Sequence, residues 1–343
     1  MIPPPNANRA WLVHLERARG AKRSGDMSGA DAAFDAAITA LGRSEDVCTL
    51  AVALRQKGNL KLHLGETAAA EALYERSHAV AEAVGYDEGV AHALNCLASI
   101  AQRRGDLAAA EATYDAAAAI AERTGEQRLL GMIRQNLGIL ASLRGDRDAA
   151  LECYARSIEA FEAAGDEEKT SWVLNNLGKL HGERGDTGTA DGCLSRALAI
   201  ARSRGDGLVE GVVLQNRAEL FVNTGRLAEA LECCDRSSEL ARERGDRLRQ
   251  AEALKLRARI HRERREYDVA IATIERARVL ASPTEDAILA AELLCELGEA
   301  WRLRGEREVA GAFWAQALET FSRAGASPAV QATTSRLQSV AGG

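Results

Sequence analysis

Small and large apolar positions recur along this chain with a constant period of forty residues. Residues 174–190 read LNNLGKLHGERGDTGTA, and aligned copies occupy 94–110 (LNCLASIAQRRGDLAAA), 134–150 (RQNLGILASLRGDRDAA) and 214–230 (LQNRAELFVNTGRLAEA). A period held without insertion predicts an array of stacked units, none of which can bury its apolar face alone.

Three columns of this repeat predict how each unit packs. The first is a small residue: Ala18, Gly58, Ala98, Gly138, Gly178, Ala218, Ala258 and Gly298. The second is an alanine: Ala30, Ala70, Ala110, Ala150, Ala190, Ala230, Ala270 and Ala310. The third is a mostly large apolar residue four positions later: Phe34, Tyr74, Tyr114, Tyr154, Leu194, Cys234, Ile274 and Trp314. We interpret each unit as two helices, A and B, which the small residues allow to approach closely.

Glycine breaks about every twenty residues predict the turns between these helices. Five of them lie in the tripeptide Arg-Gly-Asp, first at 104–106. Glycine suits a left-handed helix cap and aspartate suits the next N-cap, so we favour capping over an adhesion motif. Two places depart from the pattern, since Arg265 replaces a glycine and Pro283 interrupts a later turn. We expect a disordered lead at 1–8, the repeat array at 9–325, and a final segment at 326–343 with a capping helix near 328–340.

Composition narrows the function classes. The net charge of −6 does not favour nucleic acid or an anionic membrane as partner. Seven cysteines without a CxxC pair predict reduced, packed thiols in a cytoplasmic protein. Neither a membrane-spanning run nor a signal peptide is evident, and abundant alanine and arginine hint at a bacterial source. Metalloprotease, phosphate-loop and nucleophile-elbow motifs are missing, so we expect no enzyme, no cofactor and no metal.

The repeat resembles the tetratricopeptide repeat family, whose pattern also has a small residue in helix A and an alanine and a bulky residue in helix B. The period here is 40 residues instead of 34, as in the longer-helix subclass that includes Pins-type scaffolds and bacterial peptide-responsive regulators. The resemblance implies an all-α fold, a right-handed α-solenoid of about eight helix-turn-helix repeats plus a C-terminal capping helix.

The resemblance also implies a binding groove lined by the A helices. Carried over repeat by repeat, the groove positions include an amide ladder: Asn95, Gln135, Asn136, Asn175, Asn176, Gln215 and Asn216. Side-chain amides both donate and accept, so they suit the backbone of an extended peptide. The alternative is that these amides hold neighbouring repeats together.

The seventh repeat adds a basic face made of Lys255, Arg259 and Arg262. This face suits an acidic side chain or a free carboxylate of a peptide or protein partner, unless glutamates of adjacent repeats, such as Glu292 and Glu296, neutralise it. The predicted function is therefore a non-catalytic peptide-binding scaffold or adaptor. Two alternatives remain, a ligand-responsive sensor that switches an effector in another chain and a structural subunit of a larger complex.

Overall fold

The computed structural model describes residues 10–282, 286–324 and 326–341. Over these residues the chain forms seventeen helices and no strand. The predicted disordered lead at 1–8, the turn at Pro283 and the glycine at 325 lie outside the described residues. The helices are α1 Ala10–Arg23, α2 Met27–Leu41, α3 Val47–His63, α4 Thr67–Ala83, α5 Asp87–Arg103, α6 Leu107–Thr124, α7 Gln127–Arg144, α8 Arg147–Ala163, α9 Glu167–Glu183, α10 Thr187–Ser203, α11 Gly207–Asn223, α12 Leu227–Glu243, α13 Arg247–Glu263, α14 Tyr267–Ala281, α15 Ala287–Arg304, α16 Arg307–Arg323 and α17 Ser327–Ala341.

These helices confirm the all-α fold of helix-turn-helix repeats, in which an odd-numbered helix is the A helix and the following even-numbered helix is the B helix. The chain divides into two compact units, Met1–Thr170 and Ser171–Gly343. In the first unit α3 packs on α4 and α7 on α8, and in the second α11 packs on α12 and α15 on α16. The last helix, α17, packs against α16.

The small column of the A helix is a steric requirement, as the repeat pattern predicted. In the first unit, a Cβ atom on Gly58 would lie 2.5 Å from Cε1 of Tyr74. In the second, a Cβ atom on Gly298 would lie 2.4 Å from Nε1 of the fully buried Trp314. The large B-helix side chain therefore occupies the space that the missing side chain leaves.

Buried serines add a hydrogen bond between the two helices of a repeat. Ser77 Oγ donates to the carbonyl oxygen of Ala51 at 2.7 Å, and Ser157 Oγ donates to that of Gly131 at 2.7 Å. Ser237 repeats the contact in the second unit, to the carbonyl oxygen of Gly211 at 3.0 Å. Because the serine hydroxyl finds its acceptor in the facing helix, a polar group is tolerated in an otherwise apolar seam.

The turns have the predicted capping chemistry. The glycines of all five Arg-Gly-Asp tripeptides have positive φ, from 65° to 82°. The aspartates that follow are N-caps, and Asp106, for example, accepts from the backbone amide of Ala109 at 3.1 Å. The tripeptides are thus helix–helix junctions, with glycine in the left-handed conformation and aspartate satisfying a free amide.

Candidate groove of the second unit

An open cleft of about 430 Å³ crosses the A helices of the second unit. It is lined by Lys179, Val212, Gln215, Asn216, Glu219, Arg249, Glu252, Lys255, Leu256, Arg259 and Glu296. These residues belong to α9, α11, α13 and α15, which are the A helices of repeats five to eight. We call this cleft the A-helix groove.

Helical spacing explains why these side chains share one surface. On α11, Val212, Gln215 and Glu219 are three and four positions apart and so lie on one face of the helix. On α13, Glu252, Lys255 and Arg259 have the same spacing, forty residues later. Neighbouring A helices contact each other, as α11 does with α13 and α13 with α15. The repeat therefore places equivalent faces side by side and makes one continuous surface.

The predicted amides bond to one another across neighbouring repeats. In the first unit Asn136 Nδ2 donates to Asn95 Oδ1 at 3.0 Å, and in the second Asn216 Nδ2 donates to Asn175 Oδ1 at 2.8 Å. Both acceptors, Asn95 and Asn175, are buried. Each pair links two A helices, so these four amides hold neighbouring repeats together, which is the alternative to peptide binding. Asn216 still lines the groove.

The other amides of the ladder are half-buried. Gln215 lines the groove, and its Nε2 donates to the backbone carbonyl of Arg249 at 3.3 Å. Gln135 lies on α7 in the first unit and Asn176 lies on α9 in the second, each at intermediate exposure. Direct contact of the ladder with a peptide stays a prediction.

Two members of the predicted basic face are tightly paired with α15. Lys255 Nζ forms an ion pair with Glu292, and Arg262 forms one with Glu296. Arg259 differs, because Nη2 donates to Asn223 Oδ1 at 2.8 Å while its nearest carboxylate, Glu219, is 3.9 Å away. Arg259 is therefore the one of these three cations whose charge is most available to a ligand.

Five further charged residues, which the sequence did not assign to the groove, also line it. Lys179 has its nearest carboxylate, Glu183, at 4.0 Å, and Arg249 lies 3.7 Å from Glu252. Burial raises the pKa of the Glu252 carboxyl against the opposing influence of Arg249 and Lys255. The other two are Glu219 and Glu296, and Glu296 was expected only as a partner for the basic face. A sequence signal exists, since Lys179, Glu219 and Arg259 occupy one repeat position at forty-residue intervals.

The groove contains no cluster suited to a metal, and none occurs elsewhere in the described residues. The seven cysteines are free thiols. Burial raises the pKa of Cys96 to about 11 and that of Cys234 to about 12, so both favour the protonated form at neutral pH. Cys48 departs from the expected packing because it is exposed. Among the described helices, none combines the length and apolar character that crossing a bilayer requires.

Stacked helix pairs with an open groove along their A helices define a helical repeat protein of the binding class. The family model for the tetratricopeptide repeat matches residues 49–123, 89–163, 135–203 and 211–281. The chain belongs to the tetratricopeptide repeat family. This membership supports protein binding, as a scaffold or a sensor, as its general role. No curated protein sequence matches the chain.

Solved structures share the fold at low sequence identity. The apo form of the quorum sensor NprR from B. thuringiensis is 14% identical, with a TM-score of 0.73 over 93% of this chain and 89% of that one. The apo form of RapI is 9% identical, with a TM-score of 0.67 over 96% and 97%. A signal transduction ATPase with a tetratricopeptide repeat sensor, from Pyrococcus horikoshii, is 15% identical, with a TM-score of 0.70 over 94% of this chain. This chain spans 49% of that ATPase.

Proposed function

We propose that this protein binds an extended peptide segment of a partner in the A-helix groove. The observation that carries the proposal is the groove itself, an open cleft of about 430 Å³ in which amide, charged and apolar side chains from four successive repeats converge. Peptide-binding clefts need apolar contact area together with a few polar groups that fix orientation. Val212 and Leu256 supply the apolar contact, and Gln215 and Asn216 supply the amides.

The partner segment carries acidic side chains. Within the described residues, the carboxylates that pair with Lys179, Arg249 and Arg259 are 3.7 to 4.0 Å away. A guanidinium with such distant counter-charges gains most when a ligand carboxylate forms a charge-assisted hydrogen bond with it. This set of cations differs from the basic face predicted from the sequence, because Lys255 and Arg262 already have tight glutamate partners.

The test is to fill the groove without disturbing the core. Val212→Trp places a large ring in the groove, and the substitution suits the fold because α9 already carries Trp172 at the equivalent repeat position. Val279→Trp is the matched control, since Val279 is 69% exposed on the B helix α14. Peptides are first selected on the wild-type protein from a random linear library, and their affinity is then measured for all three proteins by fluorescence anisotropy.

Val212→Trp should weaken the selected peptides at least tenfold while circular dichroism shows an unchanged melting transition. Val279→Trp should bind them as the wild type does. Equal affinity for all three folded proteins would show that recognition takes place on another surface, and the proposal would be wrong.

A further inference from the structure

The charged residues of the A-helix groove alternate in sign from one repeat to the next. Lys179 on α9, Glu219 on α11 and Arg259 on α13 are separated by forty residues each, and all three line the groove. This column immediately follows the small column, so each residue stands at the same level of its A helix. The order of charge across the groove is therefore positive, negative, positive.

These three side chains are the loosely paired charges of the column. Lys179 Nζ lies 4.0 Å from Glu183, and the Arg259–Glu219 pair has a separation of 3.9 Å. About half of each of the Lys179 and Glu219 side chains is exposed. By contrast, Glu299, which continues the column on α15, makes two hydrogen bonds with Arg302, at 2.9 and 2.6 Å. The alternating column that a ligand can reach is thus three charges long.

The spacing of the column suits an extended chain that crosses the A helices. Packed helices have axes about 8–10 Å apart, and a peptide in the polyproline II conformation advances about 3.1 Å per residue with three residues per turn. Three residues of such a peptide therefore correspond to the distance between one A helix and the next. Because every third side chain of this conformation lies on the same face of the peptide, a ligand side chain at every third position would meet one member of the column.

We infer that the groove selects a peptide with the pattern acidic–x–x–basic–x–x–acidic, in which the central basic side chain pairs with Glu219 and the outer acidic ones pair with Lys179 and Arg259. This inference rests on the proposed peptide-binding function and adds the order and spacing of charge in the ligand. The pattern reads the same in both directions, so it holds whichever way the peptide runs. Unlike net attraction, alternation also rejects wrong partners, because a chain with the reversed order meets like charge at each position.

The experiment compares three synthetic peptides, of which the first two have the same composition. The first carries Asp, Lys and Asp at every third position with Gly-Ser spacers and capped ends, and the second carries the same three charges contiguously. A third peptide has the reversed order Lys, Asp, Lys at every third position. Because the protein has a net charge of −6, non-specific attraction would favour the third peptide, which is net positive. Affinities are measured by titration calorimetry at low ionic strength.

The wild-type protein should bind the first peptide about tenfold more tightly than either other peptide, since three surface pairs contribute modestly each. Added salt should reduce this preference, because exposed charges are screened. Equal affinity for the first and second peptides would overturn the inference, because spacing would then play no part.

Charge reversal at Glu219 identifies the central contact. The Glu219→Lys variant should bind the first peptide about tenfold more weakly than the wild type does. The same variant should bind tightly a peptide whose central Lys is replaced by Asp. Glu232→Lys is the matched control, with the same change in net charge at an exposed position on the B helix α12, and should alter affinity less than twofold. An equal effect of both variants would overturn the inference, since only the overall field would matter.

The inference and the proposed function fail in distinguishable ways. Suppose that peptides selected from the random library lose affinity on Val212→Trp but show no alternating charge at every third position. The groove would then bind peptides and the charge pattern would be wrong. If the selected peptides bind Val212→Trp as tightly as the wild type, the peptide-binding function itself would be wrong.

Discussion

Arg265 replaces the glycine that other turns of the repeat contain, and its backbone adopts a strained conformation. It has a φ of 62°, the left-handed value that glycine adopts at equivalent turns, such as Gly225 with a φ of 75°. A side chain in this region costs about 1–2 kcal/mol, because its Cβ crowds the carbonyl oxygen. The repeat pattern thus requires the conformation even where the preferred residue is missing.

Arg265→Gly should stabilise the protein by about 1 kcal/mol, because relief of the left-handed strain exceeds the extra unfolded-state entropy of glycine. The control is Arg264→Gly, since Arg264 has a φ of −79° and glycine there brings only the entropic cost. Denaturant unfolding followed by circular dichroism measures both. A lower midpoint for Arg265→Gly would mean that its backbone carries no such strain.

At the scale of the element, arginines that end A helices bind the preceding repeat. Arg104 Nη1 donates to Glu71 at 2.6 Å, and Arg144 Nη1 donates to Glu111 at 2.5 Å, in both cases 33 residues back. In the sequence these arginines stand out only as the first residue of the Arg-Gly-Asp turns. Their second role follows from stacking, which brings the end of one A helix beside the B helix of the preceding repeat.

The start of α9 has a carboxylate that joins two elements. Asp166 is buried, accepts from Arg128 Nε at 2.5 Å, and also accepts from the backbone amide of Lys169 at 3.1 Å. Burial by itself raises the pKa of Asp166, but these two hydrogen bonds and the positive charges of Arg128 and Lys169 together outweigh burial and hold the pKa below its usual range. The folded state therefore binds this proton less readily than the unfolded chain does.

Asp166→Asn should lower the stability of the first unit by about 1–2 kcal/mol at neutral pH, since asparagine keeps the cap but loses the charge-assisted bond with Arg128. A depressed folded-state pKa gives stability that is present above the unfolded pKa of about 4 and is lost as the pH falls through the folded value. The difference in melting temperature between wild type and variant should hence shrink below about pH 4. A difference that stays constant down to about pH 2 would exclude this role for the charge.

At the scale of the whole molecule, the sequence predicts the features that recur in every repeat, but it does not predict which side chains meet where neighbouring repeats stack. The period identified the helices, the Gly58–Tyr74 contact column and the aspartate caps, because each follows from one helix, one turn or one helix pair. It left open whether the amides and cations pair within the array, and the structure pairs Asn175 and Lys255 with residues 41 and 37 positions away instead of forty. A column of equivalent residues does not contain those offsets, because they depend on how neighbouring A helices are placed against each other.

Helix α17 packs on the eighth repeat through apolar side chains. Val330 and Leu337 pack against the cluster that contains Trp314 and Phe321. Thr333 is buried, with its hydroxyl 3.5 Å from Cys295 Sγ. In a linear array each repeat is stabilised by its neighbours alone. The contacts of α17 should therefore stabilise mainly the repeat on which it packs.

The double variant Val330→Ala, Leu337→Ala should cost about 2–3 kcal/mol, since both side chains lose apolar contact with that cluster. Hydrogen exchange should show the loss first in the amides of α16 and α17, while those of α11 and α12 keep their protection. The control is Gln331→Ala, Gln338→Ala, because both glutamines are exposed on the same helix. A uniform loss of protection over the second unit would show instead that it unfolds as one cooperative body, whose end carries no separate stability.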